Sequence, residues 1–186
     1  VKAMDQKGYT IAYEEIHDSC VMPGDRIGQM RTEATYMALD SGAEWLFMVE
    51  NDALLELDTL ERLLGCDFPV VAPYINDLEQ KWPGTTLSGP AYLPHTGIHP
   101  VLWTVMTAML FNTKVFNAIG PNVWGSHGGI NEFHLSQRLN HVGHRIYLDT
   151  DTVVDVARSP SRSRSLTWDE LQAGTRASFE RSRNEE

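Results

Sequence analysis

Ala43-Glu-Trp-Leu-Phe-Met-Val-Glu-Asn-Asp-Ala-Leu-Leu-Glu-Leu-Asp-Thr-Leu-Glu-Arg-Leu-Leu64 is the stretch whose reading decides the fold. Its first part, Trp45 to Val49, is a continuous apolar run with no polar alternation. That pattern suits a strand covered on both faces, as in a parallel sheet between helices. The run stops at two acids, Glu50 and Asp52, on either side of Asn51. Ligands of open α/β sheets collect beyond the carboxyl ends of the strands, where these acids fall. Two oxygen-rich side chains so close together suit a hard divalent cation and the polar groups of a ligand. The plain alternative is a solvated strand-to-helix loop.

On the amino-terminal side, Pro23-Gly24 makes a turn and Asp25 is a good N-cap. Ile27, Met30, Ala34, Met37 and Ala38 follow at helical spacing, and Gly42 supplies the stop. Further upstream Tyr9 to Tyr13 reads as a short strand after the Gly8 turn, and Ile16 to Val21 is a second candidate for extended chain. On the carboxyl-terminal side, Asp58-Thr-Leu-Glu61 has the form of a capping box, Leu60, Leu63 and Leu64 give a buried side, and Gly65 ends the helix. Pro69 to Tyr74 then reads as the next strand, bounded by prolines. Helix, strand, helix, strand in this order predicts an α/β fold with a mostly parallel central sheet flanked by helices.

From Ile75 to Pro100 no period survives among the prolines and glycines, so a long loop insertion is expected, with Trp82, Tyr92, His95 and His99 in it. It is either a surface loop pinned by a few aromatics or a loop that covers a substrate. Val101 to Phe111 is apolar and β-rich, with Thr104 and Thr107 as polar members. Thr113 is placed to cap a short helix through Ile119, closed by Gly120-Pro121. Trp124-Gly-Ser-His-Gly-Gly-Ile-Asn-Glu132 is a glycine-rich loop leading into a helix from about Asn131 to Val142. Gly143 ends that helix, Arg145 to Leu148 returns as a strand, and Thr152 to Val156 continues or pairs beside it. The expected organisation is one domain over residues 1–157, an Arg/Ser linker over 158–166, and a helical tail over 167–186 opened by Thr167-Trp-Asp-Glu170.

The 186 residues are enough for one substantial core, and 42% hydrophobic with 22% charged residues is the composition of a soluble globular chain. A net charge of −10 argues against a broad nucleic-acid surface. Cys20 and Cys66 are the two cysteines and form no CxxC pair, which suits a reducing, cytoplasmic setting. No apolar stretch approaches the ~20 residues of a membrane span, and no signal peptide is expected.

Four pieces come in order: a helix carrying Arg31, an apolar strand ending Glu50-Asn51-Asp52, a strand with small residues at Thr107-Ala108, and Gly128-Gly-Ile-Asn-Glu-Phe133 opening a helix. Gly143-His-Arg-Ile-Tyr-Leu-Asp149 follows. This set resembles the GT-A glycosyltransferases, family-2-like members in particular, over roughly Asp25 to Asp155. In that family a strand ends in an Asp-x-Asp motif, a later Glu-Asp pair opens a helix, and a "G-x-x-I-Y-x-D" strand comes last. The resemblance implies a Rossmann-like GT-A fold and transfer of a sugar from a nucleotide-sugar donor to an acceptor hydroxyl. It puts Mn²⁺ or Mg²⁺ on Asp52, the donor on Glu50 and Arg31, and the catalytic base at Glu132. Trp124, His127 and Asn131 would meet the substrate, with a core anchor as the alternative for Trp124 and an ordinary loop histidine for His127. The chain departs from the pattern at Val156, where the family often has a metal-binding histidine, and at Glu50, Asn131 and Glu132, where acids or amides are exchanged. The family's first strand has no clear counterpart before Val1-Lys2-Ala3-Met4. A non-catalytic carbohydrate- or nucleotide-binding module and a metal-dependent phosphoester hydrolase are the competing expectations.

Overall fold

Local signals set most of the elements in the computed structural model, which describes residues 2–6, 9–13, 25–77, 85–86, 96–124 and 131–156. Strands β1 (Lys2–Gln6) and β2 (Tyr9–Tyr13) form an antiparallel hairpin. Helix α1 (Asp25–Asp40) runs up to Gly42, which takes the left-handed φ of 70° that stops it. Strand β3 (Trp45–Val49), the short β4 (Ala53–Leu54) and helix α2 (Thr59–Gly65) follow. Next come β5 (Val70–Asp77), β6 (Thr85–Thr86), β7 (Ile98–Val101), β8 (Trp103–Thr104) and β9 (Ala108–Asn112). Helix α3 (Lys114–Ile119), helix α4 (Asn131–His141) and β10 (Ile146–Val156) complete the order. Gly143, with φ 80°, ends the turn after α4.

Among the described residues six strands make the main sheet, in the order β3-β9-β5-β10-β4, with β7 also paired to β10. Of these described pairings β5–β10 is parallel, and β3–β9, β5–β9, β10–β4 and β10–β7 are antiparallel. The expected mostly parallel, Rossmann-like sheet is therefore wrong, and the sheet is mixed. An apolar run reports that both faces of a strand are covered, but it carries no information about the direction of the neighbour. Nor is β3 central: among the described residues it stands at one end of the order, and β9, buried along Ala108 to Phe111, lies inside it.

Side chains alternate between two layers. On one face Met48, Val70, Ala72, Met109, Phe111, Ile146 and Leu148 meet Phe116 of α3, Leu135 and Leu139 of α4, and Ala34 and Leu39 of α1. On the other, Val71 and Leu110 pack with Leu63 of α2, and Trp45, Phe47 and Phe68 close around them. Phe68 stacks on Tyr147 with centroids 3.8 Å apart.

Three local expectations change. Asp58 precedes α2 but makes no side-chain capping bond, because its carboxylate accepts from Arg62 Nε at 2.8 Å. Thr113 does not cap α3 through its side chain; its hydroxyl donates to the carbonyls of Ala43 (2.7 Å) and Glu44 (3.1 Å), tying the end of β9 to the start of β3. The stretch expected to be a loop from Ile75 to Pro100 contains the end of β5, the short β6 and all of β7 but its last residue, so it is not structureless throughout. Residues 78–84 and 87–95, where a substrate-covering loop was expected, lie outside the described residues, as do the linker and tail. Among the described residues no helix is long and apolar enough to cross a membrane.

Candidate functional site

Residues from four separate segments meet where β3 ends. Arg31 sits one and a half turns into α1, on the stripe Arg31, Thr35, Ala38 that faces the sheet, and is only 8% exposed. Its guanidinium is a two-pronged donor: Nη2 to Glu50 Oε1 and Nη1 to Glu132 Oε1, each at 3.0 Å. Glu50 follows β3 directly, and its backbone N–H donates to the Thr107 carbonyl at 2.8 Å. Because β9 runs antiparallel to β3, its first residues lie beside the last of β3, and Val49 pairs with Ala108. The Thr107 hydroxyl also reaches Glu50 Oε2, at 3.4 Å. Glu132 is in the first turn of α4, where a carboxylate is favoured by the positive helix end.

Asp52 lies in the turn closed by the Ala53 N–H donating to the Glu50 carbonyl at 3.1 Å, near enough to raise the Glu50 pKa by charge. Burial is the strongest push on Glu50, raising its carboxyl above the ordinary 4.5 although 42% of the side-chain surface is open. Arg31 pulls the other way, Asp52 and Glu132 add like charge, and the Thr107 hydroxyl lowers it slightly. Three carboxylates against one guanidinium leave the cluster negative, as a site for a divalent cation must be. Among the described residues no group of three or more His, Cys, Asp or Glu side chains is gathered to hold an ion alone. A cation here would have to take most of its shell from water and ligand oxygens, with Asp52 or Glu50 as the carboxylates available to it.

Of the residues expected from sequence, the structure brings Arg31, Glu50 and Glu132 into direct contact and places Asp52 beside them. Trp124 is a correction. It is 0% exposed, so its ring offers no face to a sugar. It lies edge-on to Phe111 (5.8 Å, 87°) and beneath Arg31, whose Cζ is 5.9 Å from the ring centroid. His127 and the Asn131 side chain lie outside the described residues. Thr35 was not anticipated. Its hydroxyl accepts from Trp124 Nε1 at 2.9 Å and donates to the Arg31 carbonyl at 2.8 Å. The only trace of it in the sequence is its i+4 spacing from Arg31.

A wide-mouthed hollow of about 540 Å³ lies elsewhere, lined by Arg62, Cys66, Gly97, Asp149, Asp151 and Thr152 among others. Its buried carboxylate, Asp149, already accepts from the Thr152 hydroxyl (2.6 Å), the Asp151 N–H (3.0 Å) and the Cys66 thiol (3.8 Å). The acids there serve the fold, so the charged cluster at the end of β3 is the better candidate.

No family model and no curated protein matches the chain. Among solved structures it is similar to A197 from STIV, at 12% identity and a TM-score of 0.51 over 76% of this chain and 81% of that one. At that identity the likeness concerns the fold alone.

Proposed function

We propose that the chain is a metal-assisted glycosyltransferase that moves a sugar from a nucleotide-sugar donor to an acceptor hydroxyl. The observation that carries this reading is the Arg31 fork, which joins the acid at the end of β3 to the acid at the start of α4 with Asp52 alongside. Asp52 is the residue that would hold a cation such as Mn²⁺ or Mg²⁺, which when bound would supply charge neutralisation for the leaving diphosphate. Glu50, hydrogen-bonded by Arg31 and Thr107, orients the donor. Glu132 Oε2 takes the proton from the acceptor hydroxyl, while Oε1 stays with Arg31. Two cysteines without a CxxC pair suit a reducing setting, and a cytoplasmic reaction is part of this proposal.

The Arg31–Glu132 pair also favours a second reading. Oε1 of Glu132 is already taken by Arg31 Nη1 at 3.0 Å, a contact that suits a carboxylate held in place in a binding module that has lost turnover. One experiment separates these. The chain is incubated with a panel of sugar nucleotides and Mn²⁺, and binding and release of nucleoside diphosphate are measured. Release that needs an acceptor supports the transferase. Binding without release leaves the module. Release from phosphoesters that carry no sugar indicates a hydrolase. In the transferase, Asp52→Ala keeps the fold and loses metal-dependent donor binding. Glu132→Gln binds the donor but loses transfer by about 10²–10⁴-fold.

A further inference from the structure

We propose that Thr35 and Trp124 are positioning residues of this site, setting the Arg31 fork that holds Glu50 and Glu132. Trp124 reaches Arg31 twice. Its indole N–H donates to the Thr35 hydroxyl (2.9 Å), which passes its own hydrogen to the Arg31 carbonyl (2.8 Å), and its ring lies 5.9 Å below the Arg31 guanidinium. One contact fixes the backbone of Arg31 and the other its side chain. All three residues are buried, with Thr35 and Trp124 at 0% and Arg31 at 8%.

Filling the core would not require this arrangement. A buried indole needs only some acceptor for its N–H, and any neighbouring carbonyl would serve. Here the acceptor is a hydroxyl bonded to the carbonyl four residues back, a bond that tends to bend a helix locally, at the turn that carries Arg31. The indole itself is fixed by Phe111 edge-on and by Phe116 at 6.3 Å. A rigid path thus runs from the aromatic core through Trp124 and Thr35 to a guanidinium whose two prongs end on the carboxylates. A planar fork aims two partners only if its own position is set, and misplacement of a reacting group by about 1 Å costs on the order of 10²-fold in rate.

The kinetic consequence rests on the proposed transferase reading, but the geometric one does not, and the test has an arm for each. In the first arm, Arg31 side-chain N–H signals are followed by NMR on the full chain labelled with ¹⁵N-arginine, assigned by their loss in Arg31→Lys. The probes are Thr35→Val, which keeps shape without the hydroxyl, Thr35→Ser, which keeps the hydroxyl, and Trp124→Phe, which keeps an aromatic ring without the N–H. We expect slow-exchanging Arg31 signals in the parent and in Thr35→Ser, and at least about tenfold faster exchange in Thr35→Val and Trp124→Phe. Parent-like signals in Thr35→Val, or equal damage in Thr35→Ser, overturn the proposal. If Thr35→Val does not fold, Trp124→Phe decides by the same criterion. In the second arm, nucleoside diphosphate release falls about 10²-fold in Thr35→Val and stays within a few-fold of the parent in Thr35→Ser. A parent that releases no diphosphate from any donor defeats the transferase reading, and the NMR arm still decides the positioning role.

Discussion

Arg31 is the residue on which the site turns, and its environment makes its removal measurable. Its side chain is 9% exposed, that of Glu132 23% and that of Glu50 42%, so the triad lies between a surface pair and a buried one. Exposed pairs are worth about 0–1 kcal/mol, and breaking a fully buried one costs about 3–5 kcal/mol. Arg31→Met should therefore lower stability by roughly 2 kcal/mol at neutral pH, read as a shift in the urea midpoint. Glu50 gives a second expectation, of definite sign. Its carboxyl is raised, chiefly by burial, so the folded state favours the protonated form. That contribution is complete below the ordinary 4.5 and is lost as pH rises through the raised value. Glu50→Gln should flatten this decline in a pH series of unfolding midpoints, and an unaltered slope would contradict it. That Arg31, Glu50 and Glu132 meet, with Asp52 near Glu50, was legible in the sequence because their types and order carry chemistry. Thr35 was not, because a threonine inside a helix looks like any other, and its meaning depends on an indole 89 positions away.

At the scale of the element, the strand that departs most from its expected form is β5. Pro73 lacks an N–H and looked like a strand boundary, yet β5 continues through it to Asp77. Strand β10 explains how. Asp149 pairs with Pro73, the next β5 residue, Tyr74, pairs with Val153, and Thr150 to Thr152 bulge out between. A proline in an inner strand is tolerated at such a bulge, where no ladder donor is required. The bulge is pinned from several sides. Thr150 donates through N–H and hydroxyl to the Gly97 carbonyl, Gly97 N–H donates to Asp151 Oδ2, and Arg62 of α2 donates to the Asp151 carbonyl. It also lets β10 exchange β7 for β4 on its outer side. Thr152→Val takes from the buried Asp149 its shortest hydrogen bond, and a loss of about 1–3 kcal/mol is expected in denaturant unfolding. Cys66 adds an alkaline test. Burial, and then the charge of Asp149 and the hydrogen bond to it, push its thiol from 9.0 up to about 11. The stability linked to that thiol is present below about 9 and lost as pH rises towards 11. Cys66→Ser, which cannot ionise there, should lose that alkaline limb in the same assay. Helix boundaries could be read from caps and stop glycines, but strand pairing could not, because it depends on partners far along the chain.

The whole molecule sets the field in which the site works. On the proposed reading, a net charge of −10 and the excess of acid at the end of β3 would repel a dianionic sugar nucleotide during approach, while Arg31 would attract it at close range. These two effects respond differently to salt. Repulsion from the whole surface acts over tens of ångströms and is screened as the Debye length shrinks from ~30 Å at 0.01 M to ~8 Å at 0.15 M. The Arg31 contact is short and partly buried, so salt weakens it less. Without a divalent cation, the association rate of a sugar nucleotide should therefore rise with ionic strength over that range, the reverse of electrostatic steering. With Mn²⁺ present the ligand arrives largely neutralised, and the dependence should flatten. Stopped-flow binding with and without the metal measures both slopes. A rate that falls with salt in the absence of metal would mean that attraction local to Arg31 dominates the approach. That outcome would put the anion's landing point on Arg31 itself, and Arg31→Met would then abolish the slope rather than steepen it.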